Sequence, residues 1–179
     1  MFICSIFLDA RSSGAGIPQR LAALKEILQR LDNRLELLVV DDTGDRRLAV
    51  LTKHHRAILI HAEGTPLGDR LNLAVTHSQG EVLLFPVQST TLTADWLIRT
   101  IESIEHHERD AVVITRQPSS RLARLWRRLH SHPFSDTLCV SRVWFDRIGG
   151  CDPSLDADAL PDLIERLRAC QARVDNDPG

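Results

Sequence analysis

The sequence predicts an α/β fold, in which a mostly parallel sheet carries helices on both faces. Short, continuously apolar runs alternate along the chain with longer segments whose apolar residues recur every three or four positions. Continuous apolar runs are typical of strands that are covered on both faces, as in parallel sheets. Short connections between alternating strands and helices favour crossovers that return over a face of the sheet.

The N-terminal part has a clear strand–helix–strand pattern. The apolar run Ile3–Leu8 precedes residues 11–16, which we expect to form a flexible turn. Pro18 suits the first turn of a helix. The leucines that follow have helical spacing: Leu21, Leu24, Leu28 and Leu31. A second apolar run, Leu35–Val40, stops at the acidic turn 41–45.

The alternation continues to about residue 115 and then becomes less regular. The next predicted elements are a strand at Ala57–Ile60, a helix at Leu67–Ser78, a strand at Val82–Phe85, a helix at Thr93–His107 and a strand at Ala111–Thr115. Beyond Pro118 we expect a basic helix over 120–130, a strand over 138–140 and a last helix over 161–172. The prediction is a single domain, residues 1–174, with a frayed tail, residues 175–179.

Composition excludes several classes of protein. Hydrophobic residues make up 43% and charged residues 26%, which is ordinary for a globular chain. The formal charge of -2 gives no general attraction to nucleic acid or acidic membranes. The cysteines lack the Cys-x-x-Cys spacing of a zinc knuckle. No basic segment precedes the first apolar run, and no run reaches the roughly 20 residues of a membrane helix, so we expect a cytoplasmic protein.

Carboxylates follow the first two predicted strands. Asp9 ends the first strand, and Asp41 with Asp42 ends the second. Ligands of open α/β sheets bind at the carboxyl ends of the strands, where a carboxylate can accept hydrogen bonds from a base or a ribose. The alternative is structural, because Asp-Asp-Thr-Gly-Asp is good turn chemistry by itself.

The segment Gly64–Asn72 precedes and opens a predicted helix. Glycines at a helix start allow the backbone to approach an anion, and the planar guanidinium of Arg70 suits phosphate oxygens. A capping or surface role for Asn72 and a solvated Arg70 are the alternatives.

Acidic residues gather before and inside the last predicted helix: Asp152, Asp156, Asp158, Asp162 and Glu165. One of them could act as a general base if it faced a cleft. Acidic residues near a helix N-terminus also stabilise the helix by themselves.

Two other clusters of polar residues are weaker candidates for a functional site. His130, His132 and Asp136 fall short of a closed zinc set. The predicted basic helix carries Arg121, Arg124 and Arg128 on one face, but a solvated face explains them in a mildly acidic chain. We therefore expect no bound metal and no nucleic-acid partner.

Taken in order, these segments resemble family 2 glycosyltransferases with the Rossmann-like GT-A fold. Leu37–Asp45 is similar to the strand and acidic turn that hold the uridine of a nucleotide sugar, and Gly68–Ala74 is similar to the Gly-x-Arg-x-Asn helix opening. Pro133–Asp136 and Val140–Asp152 resemble the acceptor-side segment and its Gly-Gly-Phe-Asp signature. The resemblance implies a nucleotide or nucleotide-sugar ligand. The implied nucleotide-binding residues are Asp9, Asp41, Asp42, Arg70 and Asn72, and the implied acceptor-side residues are Asp136 and Asp152.

The chain departs from this family at the metal motif. Counted back from Asp95-Trp96-Leu97, the family's Asp-x-Asp falls on Val87, Gln88 and Ser89. Magnesium or manganese, which the family implies, needs hard oxygen ligands, and both carboxylates are missing. The resemblance therefore implies a degenerate motif and no metal cofactor.

The family's catalytic base is the second departure. Its aspartate falls near Ala159-Leu160, which leaves Asp158 and Asp162 as candidate catalytic bases. Together the two losses predict a glycosyltransferase-like domain that binds a nucleotide or acts as a scaffold without metal-dependent activity. Metal-independent sugar transfer supported by arginines is the alternative. The sequence makes no prediction of the oligomeric state.

Overall fold

The computed structural model describes residues 4–31, 34–87, 92–114 and 137–177. The strands are β1 Cys4–Asp9, β2 Leu35–Asp41, β3 Ile58–His61, β4 Val82–Phe85, β5 Ala111–Ile114, β6 Thr137–Ser141 and β7 Val174–Asp177. The helices are α1 Ala10–Ser13, α2 Ile17–Arg30, α3 Arg47–His54, α4 Leu67–Thr76, α5 Ala94–Glu105, α6 Arg142–Arg147 and α7 Ala159–Ala169, with a 3-10 helix at Gly14–Gly16.

These strands form one sheet in the order β3-β2-β1-β4-β6-β5-β7. The pairs β3–β2, β2–β1, β1–β4 and β5–β7 are parallel, and β6 is antiparallel to both of its neighbours. The carboxyl ends of β1 to β4 therefore meet along one edge of the sheet. This arrangement confirms the predicted mostly parallel sheet.

Helices cover both faces of the sheet, as predicted. On one face, Ile6 and Leu8 of β1 pack in a core with residues of α2 and α5, such as Leu21 and Leu97. Because neighbouring strand residues point to opposite faces, Phe7 belongs to the other core. There its ring stacks on Phe85 with centroids 4.9 Å apart, and Phe85 stacks on Phe145 at 5.9 Å. Leu71 of α4 and Leu163 of α7 complete this second core.

Four segments differ from the predictions. The expected flexible turn 11–16 is helical, because the Asp9 carboxylate caps α1 by accepting from the Ser12 N–H at 2.8 Å. The short helices α3 and α6 were not predicted, and each buries too few side chains to give a clear periodicity. Residues 175–177, which we expected to fray, pair with β5 as part of β7.

Some predictions fall outside the described residues. They are the basic helix over 120–130, the cluster of His130 and His132, and the segment Pro133–Asp136. Within the described ranges, no helix combines the length and the apolar character that a membrane crossing requires.

Candidate functional site

The candidate site lies where β1 and β2 end side by side. In the parallel register Asp9 is paired with Val40, and Asp41 is paired with His61 of β3. Asp42 follows Asp41 directly. The sequence therefore places three carboxylates on two neighbouring strand ends, and the structure brings them together at the edge where ligands of such sheets bind.

A buried arginine joins two of these carboxylates. Arg70, in the first turn of α4, is 1% exposed. Its Nη2 and Nε donate to Asp9 Oδ1 at 3.0 and 3.2 Å, and its Nη1 donates to the Thr65 carbonyl at 2.5 Å. The same Nη1 lies 3.1 Å from Asp42 Oδ2. Arg70 is thus held by the protein's own acceptors at the base of the site.

Asp42 is held by charge rather than by hydrogen bonds. Its side chain is fully buried, and Arg11 of α1 adds a second guanidinium, with Nη2 2.5 Å from Oδ2. Neither contact has hydrogen-bond alignment, so both Asp42 oxygens lack a hydrogen-bond partner in the described structure. The two ion pairs at Oδ2 offset much of the charge and leave Oδ1 without a donor among the described residues.

Asp41 has one satisfied oxygen and one that is not. Oδ1 accepts from the N–H and the hydroxyl of Thr43 at 2.8 and 2.7 Å, which makes the predicted turn. Oδ2 is buried, and it has no hydrogen-bond partner among the described residues. The exposed ring of His61 approaches it, with Nδ1 3.6 Å away. The structural and the ligand-binding interpretations of this turn are therefore compatible, because each uses a different oxygen.

Unsatisfied buried carboxylate oxygens are costly. A buried acceptor without a partner loses about 1–3 kcal/mol, and a charged one loses more. Natural proteins retain such groups at sites where a ligand or an ordered water supplies the missing donor. Asp41 Oδ2 and Asp42 Oδ1 are two such oxygens at one sheet edge, whereas Asp42 Oδ2 lies within ion-pair distance of two guanidinium groups. The chemistry that fits them is a ligand rich in N–H and O–H donors.

The opening of α4, where the glycines could allow the backbone to approach an anion, is occupied by the protein. The Leu67 N–H donates to Asp156 Oδ1 at 3.1 Å, and the Gly68 N–H donates to the Leu155 carbonyl at 2.9 Å. A Cβ atom at Gly68 would lie 1.9 Å from the Asp152 carbonyl oxygen. The glycine therefore allows α4 to approach the segment that precedes α7.

Asn72 acts as a connector between α4 and the turn after α6. Its Nδ2 donates to the Cys151 carbonyl at 2.8 Å, and its Oδ1 accepts from the Cys151 N–H at 2.9 Å. Gly150 lies against it, since a Cβ there would be 2.6 Å from Asn72 Oδ1. This pairing commits both ends of the amide to Cys151.

The acidic residues near α7 are dispersed. Asp162 accepts from Arg166 Nε at 2.7 Å, while Arg166 also donates to the Ile148 and Gly150 carbonyls. Asp152 Oδ1 accepts from the N–H and the hydroxyl of Ser154, and these bonds lower the pKa of Asp152. Asp158 precedes the first residue of α7, is exposed and makes no capping hydrogen bond.

The metal-motif positions are only partly described. Val87 follows β4, whereas Gln88, Ser89 and the acceptor-side Asp136 lie outside the described residues. No group of three or more His, Cys, Asp or Glu residues in the described ranges could hold a metal ion. A guanidinium lies here instead: Arg20 Nη2 donates to the Pro86 carbonyl at 2.9 Å and to the Val87 carbonyl at 3.4 Å.

Three residues at this edge were not identified from the sequence: Arg11, Arg20 and His61. Arg11 and His61 both follow predicted strands, Ile3–Leu8 and Ala57–Ile60. Their place after a strand is the signal that could have identified them. Arg20 gave no such signal, because it occurs among the polar residues between the leucines of a helix.

Comparison with known proteins gives a family profile and a fold. The profile of glycosyl transferase family 2 matches residues 5–169. A mannosyltransferase from Pyrobaculum calidifontis, solved with GDP-Man and Mn²⁺, superposes with a TM-score of 0.74 at 15% identity, covering 98% of this chain and 54% of that one. This chain thus spans about half the length of that enzyme. No curated protein sequence matches the chain.

Two other solved structures agree. Glucosyl-3-phosphoglycerate synthase from Mycobacterium tuberculosis, solved with Mn²⁺, UDP and glucosyl-3-phosphoglycerate, gives a TM-score of 0.70 at 14% identity, covering 98% of this chain and 69% of that one. TarS 1-349 from S. aureus gives 0.66 at 18% identity, with 98% and 58% covered. The fold predicted from the sequence, GT-A, is therefore confirmed.

Proposed function

Because this chain belongs to glycosyl transferase family 2, we propose that it binds a nucleoside diphosphate, free or as a nucleotide sugar, without metal-dependent sugar transfer. The observation that carries the proposal is the set of buried, unsatisfied carboxylate oxygens on Asp41 and Asp42. They lie at the carboxyl ends of parallel strands, where nucleotides bind in open α/β folds.

A nucleoside supplies the donors that these oxygens lack. Uracil has an imide N–H, guanine has N–H groups on its Watson–Crick edge, and ribose has two hydroxyls. One related structure contains UDP and another contains GDP-Man, so both bases suit the fold. In this proposal Asp41 Oδ2 accepts from the base or the ribose. Arg70 and Arg11 hold Asp42 in place, and Asn72 positions the turn at Cys151.

Val87, the one position of the metal motif that lies among the described residues, does not fit the divalent ion of the related structures. Val87 has an aliphatic side chain and cannot ligate an ion. The guanidinium of Arg20 lies 3.4 Å from the Val87 carbonyl and would repel a divalent cation there. Hard oxygen ligands are what magnesium and manganese require. The proposed function therefore involves no metal ion.

Arg20 also favours a second candidate function, metal-independent sugar transfer. A fixed cation at the end of β4 could stabilise a departing diphosphate. Asp158 is the better candidate for the base, because the Asp162 carboxylate is already paired with Arg166. Turnover of UDP- or GDP-sugars in the presence of a chelator would support this candidate. Hydrolysis and transfer that stay at the buffer background across a broad donor screen would exclude it.

Calorimetry with uridine, UDP and GDP tests the proposed function. Asp41→Asn replaces one carboxylate oxygen by an amide that donates, so we expect nucleoside affinity to fall about 10- to 100-fold, the value of a hydrogen bond to a charged group. Asp175→Asn is the matched control, because Asp175 lies in β7, at the far edge of the sheet from β3. Equal affinities in the two variants, or no binding of any ligand by the unaltered protein, would contradict the proposal.

A further inference from the structure

One guanidinium at the carboxyl end of the sheet has no carboxylate partner among the described residues. Arg20 lies in the first turn of α2, is half-buried, and reaches the residues that follow β4. No carboxylate in the described ranges lies within ion-pair distance of it. Burial lowers the pKa of Arg20. Burying a cation without a partner costs free energy, and an anion bound beside it would offset that cost.

Neutral acceptors fix the position of this side chain. Nη1 donates to Ser13 Oγ at 2.9 Å, and Nη2 donates to the Pro86 and Val87 carbonyls at 2.9 and 3.4 Å. These contacts leave Nε–H and one Nη–H without an acceptor in the described structure. The guanidinium is therefore oriented in advance and keeps donors for a further ligand.

Its position is suited to a diphosphate. Ser13 ends α1, which directly follows β1, and Val87 follows β4, so Arg20 bridges the ends of two adjacent central strands. The nucleoside site of Asp41 and Asp42 lies at the end of β2, on the other side of β1. Strands in a sheet are about 4.8 Å apart. β2 and β4 are two strand spacings apart, about 10 Å. A nucleotide whose nucleoside lies at the end of β2 can therefore place its diphosphate near the end of β4.

We propose that Arg20 binds the diphosphate of the nucleotide and occupies the role that a divalent cation has in related structures. This inference rests on the proposed nucleotide-binding function and names the group that replaces the metal. A guanidinium binds phosphate oxygens through charge-assisted hydrogen bonds and remains charged at neutral pH. The loss of the acidic motif at Val87 is then compensated by a cation that the chain supplies.

Calorimetry with uridine and UDP, each in EDTA and in MnCl₂, separates the nucleoside from the diphosphate. We expect UDP to bind equally well in both buffers. Arg20→Gln should weaken UDP about 10- to 100-fold and leave uridine affinity unchanged, because only the phosphate contact is lost. Arg20→Lys keeps the charge but loses the planar guanidinium. Its UDP affinity should lie between those of Arg20→Gln and the unaltered protein. Arg168→Gln removes the same charge from an exposed position on α7 and should have no effect.

The possible results distinguish the two proposals. If Arg20→Gln binds UDP as tightly as the unaltered protein, or if MnCl₂ raises UDP affinity tenfold or more, the role of Arg20 is refuted while nucleotide binding stands. If neither uridine nor UDP binds, both proposals fail. Unchanged uridine affinity in Arg20→Gln shows that the variant is folded, so a selective loss of UDP supports the inference.

Discussion

Each acidic side chain at the site has a distinct role. Both oxygens of Asp9 have structural partners, since one caps α1 and the other accepts from Arg70. Asp41 Oδ1 accepts hydrogen bonds within the turn, while Oδ2 is left for a ligand. Asp42 pairs through Oδ2 with two guanidinium groups, and its Oδ1 has no donor among the described residues. The same residue type is therefore structural or available for a ligand according to the donors around it.

Asp110 offers a test of residue-scale electrostatics away from the site. Its carboxylate accepts from the backbone N–H, Nε and Nη2 of Arg173, at 2.8, 3.0 and 2.8 Å. These hydrogen bonds lower the pKa of Asp110. A carboxyl whose pKa is lower in the folded protein stabilises it above the unfolded pKa, near 4, and this contribution is lost as the pH falls.

We expect Asp110→Asn to lower the free energy of unfolding by about 1.5–3 kcal/mol at neutral pH. The difference between the variant and the unaltered protein should shrink as the pH falls below about 4. Urea unfolding at both pH values measures it. Asp175→Asn breaks only an exposed ion pair with Arg109 and should change stability by less than about 1 kcal/mol. A pH-independent difference for Asp110→Asn would contradict this account.

At the scale of elements, α4 is positioned from both ends. Asp156 and Leu155 accept from its first N–H groups, and Asn72 ties its middle to Cys151. Arg142 donates to the Val75 carbonyl in the last turn of α4 and to the Gly80 carbonyl beyond it. This helix carries Arg70, so the geometry of the charged site depends on how closely α4 packs against the segment before α7.

Gly68→Ala tests this dependence. The added methyl would meet the Asp152 backbone oxygen and carbon at 1.9 and 2.9 Å, and backbone atoms cannot rotate away. We expect α4 to shift, stability to fall by about 1–3 kcal/mol, and nucleotide affinity to weaken.

Gly16→Ala is the matched control for that variant. A Cβ atom there meets nothing within 4 Å, and the φ angle of Gly16, -80°, suits alanine. Stability should stay equal or rise by about 0.4–1 kcal/mol. Urea unfolding and UDP calorimetry on both variants provide the comparison, and equal losses in the two would refute the close-contact argument.

For the whole molecule, nucleotide binding should raise the thermal stability, and this rise should not require a metal ion. UDP at one hundred times its Kd should add about 2.7 kcal/mol to the free energy of unfolding. For a chain of this size that corresponds to a rise in Tm of about 5–10 °C. Differential scanning fluorimetry should give the same rise in EDTA and in MnCl₂. A rise confined to MnCl₂ would show that a divalent ion is required after all.

The sequence by itself determined the order of the main strands and helices, the α/β class and the position of the site carboxylates. These features are local. A buried strand is a continuous apolar run, a helix repeats its apolar residues every three or four positions, and a polar residue after a strand lies at its carboxyl end. Elements with few buried residues, such as α3 and α6, lack that local signal.

The tertiary structure alone decided what each polar side chain does, because the partners are distant in the chain. Arg70 is 61 residues from Asp9, Asn72 is 79 from Cys151, and Arg20 is 66 from Pro86. The sequence suggested that Arg70 and Asn72 bind the nucleotide and gave Arg20 no role. Folding buries Arg70 between carboxylates and fixes Asn72 on a backbone turn. Within the described part of the chain it leaves Arg20 at the strand ends without an ion-pair partner, since a charge is neutralised only by groups that the fold brings within reach.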